Sequence, residues 1–169
     1  MSAVVMVVGE GLLADRMCKD LSTQYEIIRR YDFEAGVPET TDLGLVLHDT
    51  LNPSIHKKSE EVLQPTGIPW LRGFISYGEG VIGPLVRSKI PGCSQCADKR
   101  RLIAGRDRKE MWELEQRFEA NGGISCDAWA SRTGLLQMAH LLESEVQNVL
   151  DGDQAHSEGR LCFINLKSL

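Results

Sequence analysis

The sequence predicts an α/β protein with a Rossmann-like parallel sheet, and three observations carry that prediction. A continuous β-branched run, residues 4–8, opens the chain and is typical of a strand buried on both faces. The turn Gly9-Glu10-Gly11 follows it directly and leads into an amphipathic stretch. Further apolar runs then alternate with helical stretches at the spacing of βαβ units, which indicates parallel strands joined by crossover helices.

The first half of the chain contains the predicted parallel strands. Gly, Pro and Thr residues at 36–41 separate two of these strands, and Asn52-Pro53-Ser54 starts a helix. The predicted helices are 12–21 and 52–64, and the predicted strands are 4–8, 25–31, 43–48 and 70–75.

The pattern changes after residue 75. Gly78-Glu79-Gly80 predicts a hairpin turn that pairs strand 81–86 antiparallel with strand 70–75. Residues 97–119 and 131–150 are helical in pattern, and 160–166 is a candidate terminal strand. We expect a Rossmann-like core in residues 1–90, with residues 91–169 forming a cysteine-containing segment, helices and a terminal strand of the same domain.

Composition narrows the classes of partner. The 169 residues are 42% hydrophobic and carry a formal net charge of −5, which argues against nucleic acid or an anionic membrane. No stretch approaches the roughly 20 apolar residues of a membrane span, and no signal peptide precedes the first strand. We expect a cytoplasmic protein whose partner is a protein, a peptide or a small molecule.

The glycine turn fits a relaxed dinucleotide-binding fingerprint. Gly9 and Gly11 would allow close approach of a phosphate, Ala14 would allow helix-sheet packing, and Asp32 stands where an acidic residue would bind a ribose hydroxyl. Glu10 and Asp15, however, place negative charge beside the phosphate position. A scaffold with a retired nucleotide pocket is therefore favoured over nucleotide binding, and both remain open.

Cys93-Ser-Gln-Cys96 has the spacing of half a structural zinc site. A redox pair is less favoured because the motif comes late and after Pro91-Gly92, and two buried thiols are the third alternative. The residues that could complete a zinc site are scattered and form no second pair: Cys126, His140, His156 and Cys162.

Two further groups have functional and ordinary interpretations. His48-Asp49, at the end of a predicted strand, would suit acid-base chemistry, but a hydrogen-bonded turn pair is favoured. A basic stretch could dock an acidic peptide or a partner's phosphate ligand, although a solvated helix face is the default. Its members are Arg87, Lys89, Lys99, Arg100, Arg101, Arg106, Arg108 and Lys109.

Several motifs together resemble a known family. Ile68-Pro69-Trp70, the stretch from Gly80 to Val86, Pro91-Gly92 with the cysteine pair, and Arg100-Arg101 follow a Rossmann-like start. This order resembles the E1-like, ThiF-related docking domains of cyclodehydratases. Those domains are often fused to or paired with a YcaO-type domain, and they take part in thiazole and oxazole formation in bacteriocin precursor peptides.

The resemblance implies a scaffold rather than a catalyst. In that family the ATP-dependent azoline chemistry belongs to the YcaO-type partner, and a second Cys-x-x-Cys beyond a strand like 159–168 completes the zinc site. Asp49-Thr50-Leu51-Asn52 only loosely resembles the Asp-x-x-Asn region of adenylating relatives. We therefore expect the N-terminal part of a longer protein, with a YcaO-type domain and a leader peptide as partners and a homodimer as a further option. The alternative is a small adenylating or NAD(P)-dependent enzyme that uses Gly9, Gly11 and Asp32.

Overall fold

The computed structural model describes residues 2–121, 127 and 130–167. Its centre is a six-stranded sheet in the order β2-β1-β3-β4-β5-β6. The first four strands are parallel, and β5 and β6 join the sheet antiparallel to their neighbours. The strands are β1 (Val4–Glu10), β2 (Glu26–Arg30), β3 (Leu43–His48), β4 (Trp70–Ser76), β5 (Glu79–Ile82) and β6 (Cys162–Asn165).

Five α-helices accompany the sheet in the part of the chain that is described. They are α1 (Leu12–Leu21), α2 (Pro53–Leu63), α3 (Ser94–Ala104), α4 (Arg108–Asn121) and α5 (Arg132–Asp151), and a short 3-10 turn, Gln64–Thr66, follows α2. The predicted α/β architecture, the four parallel strands and the antiparallel fifth strand are confirmed.

The sheet separates two apolar layers because successive side chains of its strands point to opposite faces. On one face, Val5, Val7, Leu45 and Leu47 pack with the buried sides of α1 and α5. On the other face, Met6, Val8, Val46 and Trp70 pack with Leu63 of α2. Helix α3 lies beside α2 and α4 on this second side.

Strand β5 begins earlier and ends earlier than predicted. Its hairpin turn is Tyr77-Gly78, whose φ angles of 54° and 77° are both positive, so Glu79 already pairs with Ser76. The strand ends at Ile82 because Gly83 has φ 101° and Pro84 lacks a backbone donor. Leu85 and Val86 instead form single bridges, with Glu158 and Trp70.

The predicted single helix over 97–119 is two helices. Helix α3 already starts at Ser94, because Cys93 occupies the N-cap position, and Gly105 adopts an extended conformation that ends it. Helix α4 restarts at Arg108. No helix among residues 2–121 and 130–167 is long and apolar enough to cross a membrane.

Candidate functional site

The glycine turn lies at the carboxyl ends of β1 and β3, the edge where open α/β sheets bind ligands. Gly9 and Gly11 have φ angles of 125° and 103°, and a Cβ atom on Gly9 would collide with the carbonyl oxygen of Leu47. Both glycines are therefore required by the local backbone, whether or not a phosphate binds.

Asp49 fills the position at the start of α1 that a phosphate would take. Its Oδ2 accepts a hydrogen bond from the Leu12 N–H at 2.7 Å, and its Oδ1 accepts one from the Leu13 N–H at 2.9 Å. A Cβ atom on Gly11 would lie only 2.5 Å from Oδ2. The chain thus supplies its own carboxylate to the helix N-terminus, where an anion is stabilised by the free backbone donors.

The acidic residues of the predicted fingerprint have other partners. Asp32 is exposed, and its Oδ1 accepts a hydrogen bond from the Glu34 N–H at 2.9 Å, as in an Asx turn. Asp15 forms an ion pair with Arg29, with 3.0 Å between Oδ1 and Nη2. The structure brings Gly9 and Gly11 to one turn, and none of the contacts within the described residues connects Asp32 with them.

Two buried histidines lie under this edge. Burial, with a smaller contribution from Arg29, lowers the pKa of His48 to about 4. Burial and then the charge of Arg72 lower the pKa of His56 well below its usual value. Both imidazoles are neutral at physiological pH, and their ring centroids are 6.4 Å apart.

Asp49 and Asn52, the acidic and amide positions of the stretch that loosely resembles an Asp-x-x-Asn region, both cap helices. Asn52 Oδ1 accepts a hydrogen bond from the Ile55 N–H at 3.3 Å at the start of α2. Each side chain satisfies backbone donors that would otherwise be unpaired. Asp49 thus bonds a segment that is distant in the chain, whereas Asn52 bonds its own helix.

The cysteine pair lies at the N-terminus of α3. Cys93 is the N-cap residue, and its Sγ accepts a hydrogen bond from the Cys96 N–H at 3.2 Å. The two sulfur atoms are in contact, and the Cα atoms are 5.2 Å apart. Because α3 begins at Ser94, the pair lies at a helix N-terminus, which is also the usual place of a redox Cys-x-x-Cys.

Buried charges fix the start of α3 against the sheet. Arg72 of β4 is completely buried, and its Nη1 and Nη2 donate to the two oxygens of Asp98 at 2.7 and 2.6 Å. Glu60 of α2 accepts hydrogen bonds from the backbone N–H and the hydroxyl of Ser94. Two core elements therefore hold the first turns of the cysteine-bearing helix through charge-assisted hydrogen bonds.

The described part of the chain contains no complete metal site. Within residues 2–121, 127 and 130–167, no group of three or more His, Cys, Asp or Glu side chains is arranged to hold a metal ion. His140 lies 3.8 Å from Glu143, His156 binds Glu145 at 3.0 Å, and Cys162 is part of β6. Cys126 lies outside the described residues. The structure therefore shows no zinc knuckle in the described residues, and zinc binding by Cys93 and Cys96 stays a prediction.

The sequence argument missed Asp49 as the cap of α1 and the Arg72–Asp98 pair. The register of β1 and β3 pairs Glu10 with His48, so the next residue, Asp49, lies opposite Gly11. Arg72 is a single charge inside a strand of otherwise uncharged, mostly apolar residues, which is a signal that a buried counter-charge must exist. Neither partner could be named without the tertiary contacts.

Comparison with known proteins finds likeness in structure alone. No model of a known protein family matches the chain, and no curated protein matches it in sequence. Among solved structures, the heterocyclase TruD has a TM-score of 0.67 at 15% identity, with 98% of this chain and 25% of that chain covered. The microcin synthetase McbBCD complex from E. coli has a TM-score of 0.68 at 12% identity, with coverages of 99% and 66%.

The microcin C7 biosynthetic enzyme MccB in complex with N-formylated MccA has a TM-score of 0.63 at 13% identity, with coverages of 98% and 65%. The chain has the fold found in these heterocyclase and microcin-synthesis proteins. It spans about a quarter of the length of the heterocyclases and about two thirds of the microcin proteins.

Proposed function

We propose that the chain is a non-catalytic, E1-like scaffold and docking component of an ATP-dependent peptide cyclodehydratase. In this proposal it helps to assemble the complex that matures a bacteriocin precursor peptide in the cytoplasm. A YcaO-type partner uses ATP and forms the thiazoline or oxazoline rings. The fold shared with a heterocyclase and with microcin-synthesis proteins supports the peptide-modifying context.

The placement of Asp49 is the observation that supports a non-catalytic role. Its carboxylate occupies the two backbone donors at the start of α1, and Glu10 at the end of β1 adds a second exposed negative charge. A nucleotide phosphate would have to displace Asp49 and meet like charge, which is unfavourable at short range. The edge that binds nucleotides in related folds is thus used here to hold the chain together.

A nucleotide titration separates this proposal from the enzyme alternative. We expect isothermal titration of ATP or NADH into the purified chain to give no saturable heat. Saturable binding that Asp32→Ala weakens would favour a nucleotide-dependent enzyme using Gly9, Gly11 and Asp32, since Asp32 is exposed and can be replaced without disturbing the turn. Co-expression with a YcaO-type protein and its precursor peptide tests the positive side, because each azoline ring lowers the peptide mass by one water. Equal ring formation with and without the chain would contradict a scaffold role.

The cysteine pair enters the proposal as half of a structural zinc site. Cys93 and Cys96 would supply two thiolates, and the remaining ligands would come from outside the described residues. Since structural zinc needs four ligands to bind tightly, we expect the 169-residue chain to hold the metal weakly. Elemental analysis of the assembled complex, with Cys93→Ser as the matched variant, measures this directly. Unchanged zinc content in that variant would remove the cysteine pair from the proposed site.

A further inference from the structure

Helices α3 and α4 expose an apolar groove on the surface of the molecule. Its volume is about 440 Å³. Six residues line it: Lys99, Leu102, Ile103, Arg108, Lys109 and Trp112. Ile103 is 64% exposed and Trp112 is 56% exposed. These are among the largest exposed apolar side chains in the described part of the chain, and the structure brings them together from two helices.

The described residues leave this groove uncovered. Ser94 is the buried residue of α3, whereas α5 buries seven residues against the sheet and its neighbours. Removing apolar surface from water is the main favourable contribution to association. A tryptophan and an isoleucine side by side therefore offer the kind of anchoring surface that protein interfaces concentrate at their centres.

The charged residues that line the groove are all positive. Lys99, Arg108 and Lys109 line it together with the apolar residues, no carboxylate does, and the ion pairs among the described residues do not involve these three cations. The chain as a whole carries a net charge of −5. A local excess of positive charge in an acidic protein favours an acidic partner.

Two of these cations lie at the end of their helix that the helix dipole makes unfavourable for positive charge. Arg108 and Lys109 are the first two residues of α4. Positive charge near a helix N-terminus opposes the helix dipole and weakens the helix slightly. Their positive charge therefore lies beside Trp112, where it can attract an anionic partner.

We infer that this groove docks an acidic amphipathic peptide segment of another protein. Its apolar side chains would pack on Ile103 and Trp112, while its carboxylates would pair with Lys99, Arg108 and Lys109. A second copy of the chain is a poorer occupant, since a two-fold contact would place this patch of three cations against an identical patch. The inference deepens the proposed docking role and rests on it only for the peptide context, because the groove is separate from the glycine turn and from Asp49.

A labelled model peptide tests the inference. The probe is a fluorescein-labelled helix-forming peptide of about 18 residues, with leucines at i, i+3, i+4 and i+7 and glutamates elsewhere. The control peptide has lysine in place of every glutamate. We expect anisotropy titrations to show saturable binding of the acidic peptide, binding at least about tenfold weaker for the basic peptide, and loss of acidic-peptide affinity as salt rises.

Variants of the chain locate the binding. Trp112→Ala should weaken the acidic peptide at least about tenfold, and Lys109→Glu about threefold to tenfold, as expected for an interface anchor and a rim charge. Phe163→Ala is the matched control, because Phe163 is an exposed aromatic residue on β6. It should leave the Kd unchanged, and circular dichroism should show all three variants folded.

Three outcomes would overturn the inference. They are equal affinity for the acidic and basic peptides, equal affinity of wild type and Trp112→Ala, and sedimentation that shows a dimer disrupted by Trp112→Ala. None of them bears on nucleotide binding at Gly11. Failure of the groove and failure of the scaffold role would therefore be distinguished by the separate ATP titration.

Discussion

Helices α5 and α3 lie on opposite faces of one sheet and are held there by different forces. α5 buries an apolar stripe of Met138, Leu142, Val146 and Val149. α3 is joined to the sheet and to α2 by the Arg72–Asp98 pair and by Glu60 with Ser94. A helix can therefore be fixed by a few buried charges while its apolar side chains stay exposed on the surface. Because its attachment is mostly polar, α3 should respond more strongly than α5 to loss of a single polar contact.

The largest effect is expected from the stripe of α5. Leu142 is completely buried, and its Cδ1 lies 3.0 Å from where a Cβ on Gly73 would be. Leu142→Ala removes three buried carbon atoms and leaves a cavity, so it should lower the free energy of unfolding by about 3 kcal/mol. Urea denaturation measures the change. Leu141→Ala is the matched control, since the neighbouring Leu141 is 44% exposed and should cost much less.

The second effect tests the polar attachment of α3. Asp98→Ala leaves the buried guanidinium of Arg72 without its carboxylate, and we expect a loss of about 2 kcal/mol because Asp98 is partly exposed to solvent. Hydrogen exchange should show faster exchange in α3 and unchanged protection in α5. Glu113→Ala, an exposed carboxylate on α4, is the control. Equal loss of protection in both helices would break the contrast between them.

The third prediction concerns Glu145, a buried carboxylate in the second half of α5. Burial would raise the pKa of Glu145, but hydrogen bonds from Ser157 and His156 outweigh it and hold the pKa below its usual value of 4.5. Its stabilisation is therefore full above pH 4.5 and is lost as the pH falls through the lowered folded pKa.

Glu145→Gln should accordingly cost about 1–2 kcal/mol at pH 7, as for a hydrogen-bonded charged group, and the difference from wild type should shrink below pH 4.5. Chemical denaturation at a series of pH values measures it. Glu143→Gln, on the same helix, is the control and should leave the free energy of unfolding at acid pH unchanged. A difference that stayed constant with pH would mean that the carboxylate charge does not contribute.

Much of the fold follows from the sequence because its signals are local. The run at 4–8, the glycine turn and the periodic stripe in 131–150 each depend on residues near one another in the chain, and each element is where it was predicted. The break between α3 and α4 was missed. The sequence pattern of residues 97–119 is helical and charged throughout, and Gly105 alone does not distinguish a helix end from a glycine that a helix tolerates.

The candidate site was less predictable because its contacts join distant parts of the chain. Gly9 and Gly11 were placed correctly in one turn, but the carboxylate that fills it comes from Asp49, 37 residues beyond Leu12. The pairing of Arg72 with Asp98 spans 26 residues. Whether Cys93 and Cys96 bind zinc stays a prediction, because it depends on ligands that the described residues do not supply.

The smallest effect on stability is expected for a substitution in the groove, at Ile103 of α3. Ile103 is mostly exposed on α3, so Ile103→Ser removes little buried surface and should change the free energy of unfolding by less than about 0.5 kcal/mol. The same substitution should weaken binding of the acidic peptide severalfold. A loss of stability comparable to that of Leu142→Ala would show that Ile103 packs within the molecule, and α3 would then resemble α5. Unchanged stability with weakened peptide binding would assign the apolar side of α3 to an external partner.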